Sequence, residues 1–252
     1  MTLRATLALA VLALASAAPG ASAPRPPAHA AALSVSPARI ALAGAGRRSL
    51  RVANHGSAPV TVQAALAGFA LDMRGRPRIV AAGAVRGWLR IRPAALRLPA
   101  GAAGHLSIVV ARPPGVAAGD HFGLVLVTAT GPRDARVAIR VRLGVVVDLR
   151  VPGLVVRRLR IGGLAVRRAG AARVLDLLLE NRGNVAEPVG PESVAVAIYR
   201  QGKLVARLRA QRRELLPRTA GFAELRYRGP LRGPVVAVAQ VGAAKRTFHL
   251  RL

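Results

Sequence analysis

The 252-residue chain contains no cysteine. That excludes disulfide cross-links, thiolate metal sites and lipid attachment to cysteine, so the fold must be held by core packing alone. Aromatic residues make up 3% of the sequence, too few to supply the stacking platforms that single-stranded nucleic acid requires. Carboxylates are also scarce, at 10 against 39 Lys plus Arg, and of the cations only Lys203 and Lys245 are lysine. After the N-terminus no apolar run is long enough to span a bilayer as a helix; Leu143 to Leu149 is interrupted by Asp148 and followed by Arg150. The expectation is an exported product with no stable membrane insertion and no nucleic-acid partner.

What is present begins with a leader. Met1-Thr2-Leu3-Arg4 is a charged start, Ala5 to Ala15 an apolar stretch too short to cross a membrane, and Ala21-Ser22-Ala23 a small-residue cleavage site. Residues 1–23 therefore read as a secretory signal peptide. Ala28-His29-Ala30 is a second candidate cut. The formal charge of +29 forms no tail or block: residues 33–153 hold 17 Arg against 4 acids and residues 154–252 hold 20 Lys plus Arg against 6. The predominance of Arg over Lys in an Ala-, Gly-, Val- and Leu-rich chain matches a coding bias. The field nonetheless attracts anionic polymers, which outside the cell means wall polymers or lipid headgroups.

With 52% hydrophobic residues, the chain can build two cores. A pattern occurs twice. Ser49 to Val52 leads into Asn54-His55-Gly56, and a Leu98-Pro99 turn later opens the run His105 to Val110. Val174 to Glu180 leads into Asn181-Arg182-Gly183, and Leu216-Pro217 later opens Ala223 to Tyr227. Short alternating runs with Gly, Pro, Asn and Asp punctuation fill both halves, about seven strands in each, as in a β-sandwich. The first set is Ser34 to Leu42, Arg47 to Asn54, Pro59 to Ala67, Gly87 to Arg92, Gly104 to Arg112, His121 to Thr130 and Ala135 to Leu149. The second is Leu154 to Ile161, Arg173 to Asn181, Ser193 to Arg200, Lys203 to Arg209, Phe222 to Tyr227, Val235 to Val241 and Arg246 to Leu252, with a hairpin turn at Gln201-Gly202. Val151-Pro152-Gly153 reads as the hinge. The predicted fold is all-β, two tandem immunoglobulin-like sandwiches at 33–150 and 154–252.

One predicted strand is unusually long. Val137, Ile139, Val141, Leu143, Val145, Val147 and Leu149 share one parity, with Ala138, Arg140, Arg142, Gly144, Val146, Asp148 and Arg150 on the other, about twice the usual strand length. Either this is an apolar edge open to a partner strand, or it is packed along its own core and into the linker.

The segments Val35 to Leu42, Leu50 to Asn54, Pro93 to Gly101 and the closing long strand resemble the N-terminal domain of PapD-type periplasmic chaperones. Trp88-Leu89-Arg90-Ile91-Arg92-Pro93 and Gly144-Val145-Val146-Val147 are more similar to exported WxL-interacting proteins of Gram-positive bacteria, in which a second immunoglobulin-like domain follows. The chaperone resemblance implies that Arg39, on the first strand, grips a client's terminal carboxylate. The Lys expected on the last strand has no clear counterpart, although Arg140 and Arg142 lie nearby. The WxL-interacting resemblance implies a membrane anchor and basic tail, where this sequence reads Phe248-His249-Leu250-Arg251-Leu252.

Candidate partner-binding residues are thus Arg39, Val137, Ile139, Arg140, Val141, Arg142, Leu143 and Val145. No catalytic or metal-ligating residue and no cofactor is expected. His29, His55, His105, His121 and His249 stand singly, and adjacent Asp120 and His121 point to opposite faces of a strand. There is no Gly-x-Ser-x-Gly elbow. Leu216-Pro217-Arg218-Thr219-Ala220 has the form of a sortase signal, but Glu224, Arg226, Arg228 and Arg232 occupy the segment where an apolar span is required. The leading function is an exported, non-enzymatic cell-envelope binding or scaffolding protein that engages a surface protein, with an anionic wall polymer as second partner. The alternative is a periplasmic chaperone for fibre subunits, and an uncharacterised hydrolase is a distant third.

Overall fold

The computed structural model describes residues 32–112, 115–130, 140–230 and 232–252. The leader at 1–23, Val137 and Ile139 lie outside the described residues. The first sandwich comprises β1 (Leu33–Ser36), β2 (Arg39–Ala43), β3 (Gly46–Asn54), β4 (Val60–Leu71), β5 (Pro77–Val80), a helical turn α1 (Val85–Trp88), β6 (Leu89–Arg92), β7 (Ala95–Leu98), β8 (Ala103–Val110), β9 (Gly119–Thr130) and β10 (Arg140–Val151). One sheet has the order β1-β3-β8-β6; the other is β2-β10-β9-β4-β5, with β7 also on β4. The core between them gathers one parity from each strand: Leu50 and Val52, Leu106 and Ile108, Val125 and Val127, Val145, Val147 and Leu149.

The second sandwich comprises β11 (Leu159–Ala169), β12 (Ala172–Asn181), β13 (Glu187–Val189), β14 (Val194–Arg200), β15 (Lys203–Arg209), β16 (Arg213–Leu215), β17 (Ala220–Tyr227), β18 (Pro234–Val241) and β19 (Ala244–Arg251). Its sheets are β11-β12-β17 and β15-β14-β18-β19, with β13 and β16 paired beside them. Its core is built from Leu175, Leu177, Leu179, Val196, Ile198, Leu225, Ala237 and Ala239.

The repeated Asn-x-Gly and Leu-Pro signals meet in space. Asn54, fully buried, donates from Nδ2 to the carbonyls of Ala58 (2.9 Å), Leu98 (3.3 Å) and Pro99 (2.9 Å), and its Oδ1 accepts from Gly56 N–H. Asn181 repeats this: Nδ2 donates to Val185 O (2.8 Å), Leu215 O and Leu216 O (both 3.1 Å), and Oδ1 accepts from Gly183 N–H. Each amide satisfies turn carbonyls that neither sheet ladder can reach, which a buried backbone demands. Leu216-Pro217-Arg218-Thr219 forms the turn between β16 and β17, with Leu216 buried and the Thr219 hydroxyl donating to Leu216 O.

Several boundaries differ from the sequence reading. The predicted strand Ser34 to Leu42 is two strands in different sheets: β1 pairs antiparallel with β3, and β2 pairs parallel with β10. Pro37, which has no N–H to give a ladder, stands at the crossing. Gly87 and Trp88 belong to α1 rather than to a strand, and Trp88 is buried in the first core. Leu154 to Val156 is exposed linker, with Leu154 80% accessible. Asn184 ties that linker down, accepting from Val156 N–H and donating to Leu154 O, and the strand starts only at Leu159. The short strands β5, β7, β13 and β16 carry too few residues for periodicity to reveal them.

Candidate functional site

β10 is hydrogen-bonded along its whole length to β9, from Arg140 opposite Thr130 to Val151 opposite Gly119. Its other edge is covered only from Val146 to Arg150, by β2. Among the described residues no strand pairs with that edge from Arg140 to Val145. The cause is the sheet switch at Pro37: upstream of it the chain is β1, which belongs to the opposite sheet. Along the open stretch, Val141 and Leu143 are half-buried, Val145 is buried, and Arg140 and Arg142 are exposed. The edge therefore presents unpaired backbone polar groups with apolar side chains on one face and arginines on the other. Val141, Leu143, Val145, Arg140 and Arg142 are brought together here; Val137 and Ile139, outside the described residues, are not placed.

Arg39 opens β2 opposite Val146, where the covered edge gives way to the open one. Its guanidinium is already engaged. Nη2 donates to Asp148 Oδ2 at 3.0 Å, and Nη1 and Nη2 form a bidentate pair with Glu214 of the second sandwich at 3.0 and 3.1 Å. The Glu214 hydrogen bond is the main cause that raises the Arg39 pKa. Burial raises that of Asp148, against the bond from Arg39, and Asp148 Oδ1 has no partner. Arg39 also lies 5.8 Å from the Phe122 ring centroid. It is thus a strut between the two sandwiches as well as a marker of where the open edge begins.

Sequence reasoning missed the rest of that junction. The β4–β5 turn reaches the second sandwich, where Phe222 N–H donates to Met73 O at 2.7 Å and Arg213 Nη1 donates to the same carbonyl at 3.0 Å. Burial lowers the pKa of Arg213. Asp176 and Glu224 face each other directly across β12 and β17, a like-charge pairing that is unfavourable alone. Arg74 from the turn and Arg167 from β11 each bond both carboxylates. Near the hinge, Asp120 accepts two bonds from Arg150 and one from Ala186 N–H, and Asp120 N–H donates to Asn184 O. Gly119 is required beside it: at φ +123°, a Cβ there would lie 2.1 Å from Asn184 O.

Of the nine described carboxylates all but Asp72 are in ion pairs, and five, Asp120, Asp148, Asp176, Glu214 and Glu224, sit at the junction. Sequence spacing carried little signal of this, because apart from Arg167 and Asp176, nine residues apart, the partners at the junction come from distant segments. Among the described residues no cluster of three or more metal-ligating side chains exists, and no helix is long and apolar enough to cross a membrane.

Two sandwiches, a first strand split between sheets and a half-covered last strand define the architecture. It is the fold of the PapD-type fimbrial chaperones. A chain of the chaperone–tip adhesin complex of CFA/I fimbriae biogenesis superposes with a TM-score of 0.53 at 13% identity, over 88% of this chain and 98% of that one. The class 5 fimbriae chaperone CfaA superposes with a TM-score of 0.50 at 13% identity, over 87% and 98%. No family model matches the sequence, and no curated protein does. At such identity the PapD-type likeness concerns the fold, so residue roles rest on the geometry above.

Proposed function

We propose that the chain is an exported, non-enzymatic chaperone that holds a surface or fibre subunit by pairing a strand of that subunit with β10 between Arg140 and Val145. The observation that carries the reading is the uncovered edge. An added strand would satisfy its free N–H and C=O groups, giving affinity through main-chain bonds, while Val141 and Leu143 offer alternate side chains for specificity. The similarity in fold to fimbrial chaperones favours this over the more general scaffold that composition suggested, and adds nothing to the WxL-interacting resemblance. The engagement of Arg39 with Asp148 and Glu214 favours a client held through its backbone and apolar side chains rather than through its terminal carboxylate.

The test is Leu143→Asp in the full chain, compared with the parent for co-purification of envelope proteins from the native host and for thermal unfolding. The expected result is loss of the captured subunit with an unchanged melting temperature, since Leu143 is only half-buried at an edge. Capture retained by a folded Leu143→Asp protein would overturn the assignment of this edge.

A further inference from the structure

The spending of carboxylates at the junction leaves the outer face of the β1-β3-β8-β6 sheet with none; its four strands contain no Asp or Glu. Register places the outward side chains in three rows: Ser36, Arg51 and His105; Ser49, Ser107 and Arg92; Arg47, Val109 and Arg90. Four arginines and a histidine thus surround two adjacent hydroxyls on a flat face. Directly opposed side chains stand about 5 Å apart, and rows along a strand about 7 Å apart. Among the described residues none of the four arginines is in an ion pair. The central Ser107 Oγ is buried and has no hydrogen-bond partner among the described residues, so a donor lies unused among cations. Other exposed faces carry exposed apolar side chains, such as Ile79 and Val80 or Leu204 and Val205, whereas the one apolar side chain in these rows, Val109, is half-buried.

From these observations we infer that the face binds a polymer of repeated phosphate groups. Guanidinium forks pair with phosphate oxygens in bidentate fashion, and Ser107 and Ser49 complete the coordination of a phosphate above the middle row. The cations are spread over a sheet rather than converged in a pocket, so a single anion reaches only some of them. A chain of phosphates reaches all of them and gains by multivalency. With half-buried Val109 as the one apolar side chain in these rows, the face offers little for insertion into a bilayer, which draws on buried apolar area. The inference is independent of the client reading, because β10 lies in the other sheet.

The experiment titrates the full chain with linear inorganic polyphosphate at about 0.15 M salt, where screening acts within about 8 Å. R51A/R92A is expected to weaken binding about a hundredfold, roughly tenfold for each charge-assisted hydrogen bond. S107A should weaken it about threefold. R207A/R209A, which removes two cations from β15 of the second sandwich, should leave it unchanged, and all variants should melt as the parent does. Equal losses in R51A/R92A and R207A/R209A would reduce the effect to net charge and overturn the site. So would absence of binding by the parent, equal affinity for polyglutamate, or binding to anionic phospholipid vesicles without binding to polyphosphate.

Discussion

Asn54 and Asn181 each do with one side chain what a strand does with its ladder. Three carbonyls of two turns converge on a single amide, and the following Gly N–H closes the loop on the amide oxygen. Replacement by Ala removes a donor shared by three carbonyls, of which Leu216 O keeps the Thr219 hydroxyl and Pro99 O the Ala102 N–H; a buried carbonyl left without a donor costs more than the net worth of the bond itself. Asn181→Ala should lower the unfolding free energy by about 2–4 kcal/mol, read from denaturant midpoints; a loss under about 0.5 kcal/mol, the level of an ordinary surface substitution, would refute the stapling role. The Asn-x-Gly repeat was visible in the sequence, because a short polar residue before glycine is a turn signal. Its buried function was not, since two of the three carbonyls each Asn serves lie more than thirty residues away, beyond any local window.

Along β10 one alternation serves two environments. Val141 and Leu143 are half-buried beside an open edge, while Val145, Val147 and Leu149 are fully enclosed. The sequence pattern is uniform across this boundary, while the side chains from Val145 to Leu149 pack in the core and the edge toward Arg140 is left uncovered by β2. What separates them is where β2 begins, and that depends on Pro37 more than a hundred residues earlier. Val147→Asp places an unpaired charge in the first core and should destabilise by on the order of 4 kcal/mol or more. A Val147→Asp protein with parental thermal stability would contradict the core assignment. The hairpin between β14 and β15 shows the opposite case. Gln201 and Gly202 both have positive φ, 48° and 77°, as a two-residue turn requires, so its position and type were local properties.

At the scale of the molecule, the scarcity of acids has a structural use. Four carboxylates, Asp120, Asp176, Glu214 and Glu224, fasten one sandwich to the other while Asp148 holds Arg39 in place, and the Asp176–Glu224 pair is tolerable only because Arg74 and Arg167 bridge it. Removing Arg74 takes away the one cation the first sandwich contributes to this cluster. Arg74→Ala should therefore uncouple the two units, so that a single unfolding transition in calorimetry splits in two or its lower limb moves down. A transition as cooperative and as hot as the parent's would show that the cluster contributes nothing to the junction. The even distribution of charge along the sequence concealed this arrangement, because counting by segment cannot tell a paired arginine from a free one.

The sequence by itself determined the secondary structure class, the two-fold repetition and the tight turns. These follow from period-2 alternation and from the φ preferences of Gly, Asn and Pro, which act within a few residues. Tertiary structure alone decided which edge stays open, which carboxylates are spent and which basic face remains free. Those outcomes depend on pairs such as Arg39 and Glu214, 175 residues apart. Each side chain is compatible with many partners, and only the assembled sheets bring one of them within reach.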